Sequence, residues 1–286
     1  MRPADYDFLR RFLKERSGLV LGQEKEYLVQ SRLLPVARRN GLSDVTSLVR
    51  ALLNGASAAL KTEIIEAMMN NESLFFRDRL PFDRLGDSVL PDLLKRREHA
   101  RHIRIWSAAA STGQEPYSIA MMIADRPELA GWRVDIIATD ISNDALEQAR
   151  GGIYSQFEVQ RGLPIQLLMR HFDQVDGEWR INYRLRNMVQ FRQHNLLSDF
   201  SALGMFDVVF CRNVLIYFDL PTKMDVLARI REVTQDDGYL ILGGAETMVG
   251  LGDSFVPVAD KRVLYRPQSR VFAPAMRLVR DNTRVA

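Results

Sequence analysis

The chain has 286 residues, 47% of them apolar and 26% charged, which suits one medium domain with a smaller companion and excludes disorder over most of its length. No apolar run approaches the roughly 18–20 residues that span a bilayer, the N-terminus has no signal-peptide core, and a single cysteine, Cys211, excludes a disulfide framework or a cysteine-rich zinc site. A net charge of +3 is too small to mark a nucleic-acid binder, so composition points to a metal-independent, cytoplasmic protein that neither binds nucleic acid nor inserts in a membrane.

Residues 1–80 read as an N-terminal helical domain. Phe8/Leu9 repeats as Phe12/Leu13, Leu48/Val49 as Leu52/Leu53, and Ile64/Ile65 as Met68/Met69. A four-residue repeat puts both pairs on one helical stripe, which predicts four short packed helices. Ser43 and Ser57 stand as N-caps, and Gly18, Gly22, Gly41 and Gly55 punctuate the segments. Residues 10–39 hold eight basic side chains against three acidic ones. Such a face is either simply solvated or a docking surface for an acidic partner. Residues 81–100 read as a linker, helical from Pro81 to Arg97.

From residue 101 to 266 the pattern becomes strand and helix in alternation. Ile103–Trp106, Val134–Ala138, Met188–Arg192, Phe206–Phe210, Tyr239–Leu242 and Val263–Tyr265 read as strands. Helices are predicted near Pro116, over Asp144–Arg150 and over Thr222–Val233. The class is therefore α/β, a doubly wound, mostly parallel sheet. Residues 151–187 interrupt it, and Gln174–Leu185 predicts a hairpin around Asp176-Gly177. Residues 267–286, with four arginines against one aspartate, read as a basic flexible tail.

Open parallel sheets bind ligands beyond the carboxyl ends of their strands, and three loops stand there. Ala108-Ala109-Ala110-Ser111-Thr112-Gly113-Gln114-Glu115-Pro116 is built of small side chains that admit a ligand to the backbone, and it lacks the GxGxxG of dinucleotide sites. Asp140 offers a carboxylate to the two hydroxyls of a ribose, or else caps the next helix. Arg212 and Asn213 leave a buried strand toward the cleft, and Tyr217 carries a hydroxyl through an apolar stretch. Cys211 beside them has no histidine and reads as a small buried hydrophobe. A nucleoside ligand without a pyrophosphate fingerprint points to S-adenosyl-L-methionine, whose α-carboxylate suits an arginine. Arg77, in Asn71-Glu72-Ser73-Leu74-Phe75-Phe76-Arg77, is the candidate; ordinary packing between the two domains is the plainer reading.

These motifs, with Asn195-Leu196-Leu197, resemble those of the chemotaxis receptor glutamate methyltransferases, the CheR family, in the same order over residues 1–266. Gln114 stands where that family commonly has an acid, Ser73 where it has threonine, and Ala109-Ala110 where Gly-Cys is frequent. The resemblance implies a Rossmann-like class I methyltransferase with a small N-terminal all-helical domain and a small β-subdomain insertion near 174–187. It implies transfer of methyl from S-adenosyl-L-methionine to receptor glutamates, leaving S-adenosyl-L-homocysteine. Asn71, Ser73 and Arg77 would line the cofactor site from the junction. Glu115 would meet the amino-acid end, Asp140 the ribose, and Asn195 with Leu196 the adenine. Arg212 and Asn213 would complete the pocket, with Tyr217 beside the transferred methyl; Arg77 and Tyr217 are the catalytic candidates. A monomer would dock an acidic receptor coil through the basic face, with Arg32, Arg38 and Arg39 as candidates, and through the β-subdomain.

That chemistry is simple. A glutamate side chain has a pKa of about 4.3, so its carboxylate needs no general base, and none is evident. The stretch Asn213-Val214-Leu215-Ile216-Tyr217 lacks the two prolines of the Asn/Asp-Pro-Pro-aromatic loop that handles amines. Two alternatives stand beside this reading, a regulator that binds S-adenosyl-L-methionine without methylating and an RNA methyltransferase.

Overall fold

The computed structural model describes residues 1–268. Its first part is four helices, α1 (Pro3–Ser17), α2 (Glu26–Arg39), α3 (Val45–Leu53) and α4 (Ala58–Met68). The paired apolar positions explain the bundle: Leu9, Leu13, Leu48, Val49, Ile64 and Met68 meet Leu33 and Val36 of α2 in one buried cluster. Helix α1 stops at Gly18, whose φ of 77° sends its N–H back to the Lys14 carbonyl. A Cβ there would also lie 2.7 Å from the Phe218 ring, so only glycine lets the helix end lie against the sheet unit. The cap of α3 is Asp44 rather than Ser43. The Asp44 carboxylate accepts the Ser47 N–H at 2.7 Å, while the Ser43 hydroxyl meets that of Ser47. Ser57 caps α4.

The connection to the sheet is one run of helix with a defect in its middle. α5 (Leu80–Arg84) passes through a π-helical turn, Leu85–Val89, into α6 (Leu90–Arg96). Pro91 has no N–H to donate to the carbonyl four residues back, and Leu90 bonds five residues back, to Leu85. The widened turn is the local solution.

The main sheet contains β1 (His102–Ala108), β2 (Arg133–Asp140), β6 (Val189–Gln193), β7 (Phe206–Cys211), β8 (Thr234–Leu242), β9 (Phe255–Pro257) and β10 (Leu264–Pro267). Its spatial order is β6-β2-β1-β7-β8-β10-β9. The first five strands in that order are parallel, and β10 runs antiparallel to both of its neighbours. Side chains alternate across the pleat. Ile105, Val208, Phe210 and Ile241 enter one apolar layer, and Trp106, Val209, Cys211 and Leu240 enter the other. Helices α7 (Gln114–Ala124), α8 (Asn143–Gly151) and α12 (Leu220–Glu232) follow β1, β2 and β7. The strand order reverses between β1 and β7, which locates the switch point. β9 escapes sequence reading because it is three residues long with only Phe255 buried.

The interruption after α8 carries a second sheet of β3 (Ile153–Tyr154), β4 (Phe172–Val175) and β5 (Glu178–Ile181), in the order β3-β5-β4. Helices α9 (Gln156–Gln160) and α10 (Ile165–His171) lie between β3 and β4. Asp176 and Gly177, with φ of 53° and 83°, make the turn of the hairpin. The hairpin is shorter than its sequence suggests. Asn182 accepts the Leu185 N–H at 3.0 Å and starts α11 (Tyr183–Met188), so β5 ends at Ile181 and the insertion near 174–187 draws a strand from 153–154 as well. Of the expected tail, residues 269–286 lie outside the described residues.

Candidate functional site

A cavity of about 460 Å³ opens at the switch point, beneath the helical bundle. Its size falls within the roughly 300–1,000 Å³ of small-molecule sites. Asn71, Ser73, Arg77, Glu115, Asp140, Asn195, Leu196, Arg212, Asn213 and Tyr217 all line it, although they come from five separate stretches of chain.

The wall on the sheet side centres on a buried ion pair. Arg212 leaves β7 with its side chain 1% exposed, and its Nη1 lies 2.6 Å from Glu115 Oε2. Its Nη2 donates to the Arg77 carbonyl and, at 3.1 Å, to Asp78. The other Glu115 oxygen accepts the Ser107 hydroxyl at 2.7 Å. One guanidinium thus ties the first turn of α7 to the segment arriving from the bundle.

The loop after β1 is held from beneath. Asp140 ends β2, and its two oxygens accept the backbone N–H groups of Ser111 at 2.8 Å and Ser142 at 2.9 Å. Burial pushes its carboxyl up, against the downward pull of those N–H donors. It is not the cap of α8, because Ser142 fills that role. Each carboxylate oxygen retains a second lone pair, so Asp140 can still accept a ligand's hydroxyls. Gly113, at φ 94°, passes where a Cβ would come within 3.0 Å of Ala149 Cβ and Tyr154 Oη.

The loop after β7 is held by a residue that sequence reasoning missed. Glu246 accepts the N–H groups of Asn213 at 2.8 Å, Gly243 at 2.9 Å and Leu215 at 3.1 Å. Its only sequence signal is an acid shortly after a glycine pair that closes a strand. Asn213 sits at φ 56°. Among the described residues, six of the ten non-glycine positions with positive φ (Phe76, Asp78, Arg79, Ala109, Ser111 and Asn213) belong to the three segments around this cavity, where strain is expected to collect. The neighbouring thiol, Cys211, is buried, and burial pushes its pKa well above the ordinary value.

The segment from the bundle is anchored by its phenylalanines. Phe75 packs edge-on to Tyr154 at 5.0 Å and Phe172 at 5.7 Å, and the Phe76 N–H reaches the Ser118 hydroxyl. Arg77 between them and the cavity is half-buried and donates to the Glu72 carbonyl. The Asn195 amide donates to the Arg16 carbonyl at 2.7 Å, pinning α1 to the sheet unit. Tyr217 accepts from Asn70, a second residue that the sequence did not flag, at 2.9 Å. On the basic face, Arg32 turns inward and donates to the Met68 and Met69 carbonyls, so it is structural. Arg39 pairs with Glu63, and Arg38 is exposed.

The lining suits S-adenosyl-L-methionine. It presents carboxylates, amides and a cation around an apolar pocket, and two polar atoms of lining residues, Arg212 Nε and His194 Nε2, are buried with no hydrogen-bond partner among the described residues. Comparison with known proteins agrees. The family model described as the CheR methyltransferase SAM binding domain matches residues 71–263, and that of the CheR methyltransferase all-alpha domain matches residues 4–69. A chemotaxis protein methyltransferase of Vibrio cholerae is 41% identical over 268 residues, covering 92% of this chain and 96% of its own. One from Pseudomonas aeruginosa is 40% identical over 92% of this chain and 97% of its own, and one from Pseudomonas putida is 40% identical over 88% and 93%.

Proposed function

Because the chain belongs to the CheR methyltransferase family, we propose that it methylates glutamate side chains of chemotaxis receptors, forming carboxyl methyl esters and S-adenosyl-L-homocysteine. When bound, S-adenosyl-L-methionine supplies a methyl group on a positively charged sulfur, reactive toward an anionic oxygen. The observation that carries this reading is the convergence of ten side chains on one cavity, with Arg77 and Tyr217 together in its lining.

Within that cavity Asp140 would accept the ribose hydroxyls, Asn195 and Leu196 would flank the adenine, and Glu115 would face the amino-acid end. Asn71, Ser73 and Arg77 would close the site from the bundle, and Arg77 would orient the cofactor carboxylate. Arg212 and Asn213 complete the wall. The substrate carboxylate arrives ionised, so this chain moves no proton from it; its work is to exclude water and fix geometry. Attraction between opposite charges strengthens as water leaves, and a near-attack arrangement contributes several kcal/mol. The Tyr217 hydroxyl suits this step because it orients an oxygen without cancelling its charge, which a tightly held cation would do.

Residues 1–80 would serve as the docking domain, 81–100 as the linker, and 101–266 as the transfer domain. Arg38 and Arg39 on the outer face of α2, with the β3-β5-β4 sheet, would receive an acidic receptor helix in the cytoplasm. One copy suffices, since one chain supplies all ten residues. No described helix is long and apolar enough to cross a membrane. The retained Arg77 and Tyr217 disfavour a non-methylating regulator, and the absence of the Pro-Pro loop disfavours an RNA substrate. Incubation with methyl-labelled cofactor and receptor-containing membranes, followed by alkali, tests the proposal. Volatile methanol is the expected product of a carboxyl ester; alkali-stable label would overturn it.

A further inference from the structure

We propose that Asn70 is a positioning residue for methyl transfer, fixing the Tyr217 hydroxyl so that its proton is directed at the substrate carboxylate. This rests on the reading of Tyr217 as the group beside the reacting oxygen. Asn70 Nδ2 donates to Tyr217 Oη at 2.9 Å, across 147 residues of sequence, and both side chains line the same cavity. A tyrosine hydroxyl has one proton and two lone pairs. With a lone pair filled by the Asn70 amide, its proton is left for another acceptor. A carboxylate entering the cavity can only accept, so this is the orientation it needs.

Both partners are held in place. The Tyr217 carbonyl accepts the Val20 N–H at 2.9 Å, and its own N–H reaches the Val214 carbonyl. Asn70 follows the end of α4, where Arg32 Nη1 donates to the carbonyls of Met68 at 2.8 Å and Met69 at 2.9 Å. A cation at a helix C-terminus satisfies orphan carbonyls and opposes the dipole. Arg32 therefore steadies the backbone that carries Asn70. The helical bundle supplies, through Asn70, the contact that orients a hydroxyl belonging to the sheet unit, and the site is complete only with the bundle seated.

The test is Asn70→Asp in the full chain, with receptor membranes as substrate. An ionised aspartate is close to isosteric but only accepts, so it draws the Tyr217 proton away from the cavity. The expected result is a fall in kcat of about tenfold, with KM for S-adenosyl-L-methionine within about twofold. As pH falls through the carboxyl range the new side chain regains a donor, so the variant's rate relative to wild type should rise toward acid, a response that a packing defect does not produce. Asn70→Gln, which keeps the amide, should retain more turnover than Asn70→Asp. In a Tyr217→Phe background, Asn70→Asp should change nothing further. Unaltered kcat, an equal loss in both backgrounds, or a flat relative pH profile would overturn the proposal. Absence of alkali-labile ester from wild type would instead overturn the functional reading on which it stands, and the wild-type control separates the two failures.

Discussion

The wall and the rim of this cavity are built differently. On the wall, Glu115, Asp140 and Arg212 are buried, and each oxygen of the two carboxylates already accepts from a fixed donor. On the rim, Asn70 is exposed, Arg77 and Tyr217 are half-buried, and each of these side chains makes one hydrogen bond within the described residues. Charges held by several fixed partners in a low-dielectric setting are pre-organised. A rim of single contacts can adjust to an incoming chain. The wall should therefore govern folding and cofactor binding; on the rim, Asn70 and Tyr217 should govern the transfer step, and Arg77 the hold on the cofactor carboxylate.

The largest effect should come from breaking the wall. Arg212→Met leaves Glu115 buried without its cation, and we expect a loss of about 3–5 kcal/mol in denaturant unfolding, together with loss of cofactor binding. A cost below ~1 kcal/mol would erase the contrast. On the rim, Tyr217→Phe should lower turnover about tenfold, equivalent to about 1.4 kcal/mol of barrier, with cofactor affinity nearly unchanged; equal losses in both would place Tyr217 with the wall. Arg77→Ala should weaken cofactor binding about fivefold by calorimetry, with the folded state unaffected, and unchanged binding would remove Arg77 from the cofactor.

The smallest effect concerns the seam. Lys14 lies 2.7 Å from Asp219, and its hydrogen bond, with those of Thr222, brings the Asp219 carboxyl down to about 2. Because the folded value lies below the ordinary one of 3.8, this contribution is complete above the ordinary value and is lost as pH falls toward about 2. Asp219→Asn should flatten that acid limb in thermal midpoints measured between about pH 5 and pH 2.5; an equally steep limb would exclude the pair as its source.

Sequence patterns reach as far as local physics does. The apolar run Val208–Cys211 of β7 announces a strand covered on both faces, and the doubled apolar pairs announce the bundle, because each reports burial at short range. Seven of the ten site residues (Glu115, Asp140, Asn195, Leu196, Arg212, Asn213 and Tyr217) converge because they lie at or beyond the carboxyl ends of β1, β2, β6 and β7, and Asn71, Ser73 and Arg77 join them from the segment between the bundle and the sheet. Glu246 and Asn70 stayed hidden because the loop that Glu246 holds, at Asn213 and Leu215, lies 33 and 31 residues away and the Asn70 partner 147 away, and no periodicity encodes such distances. The choice between Ser43 and Asp44 as cap turns on which of two adjacent polar side chains reaches the Ser47 N–H, and the early stop of β5 on the Asn182 side chain reaching the Leu185 N–H.

Cys211 has one more consequence. It is the only thiol in the chain, it lies fully buried in the central strand pair β1–β7, and its thiol is pushed well above its ordinary pKa by burial. An alkylating reagent can meet it only when those strands part, so the rate of its modification is a clock for global opening. Saturation with S-adenosyl-L-homocysteine should slow that clock, giving a measure of how firmly the bound nucleoside opposes the parting of β1 and β7.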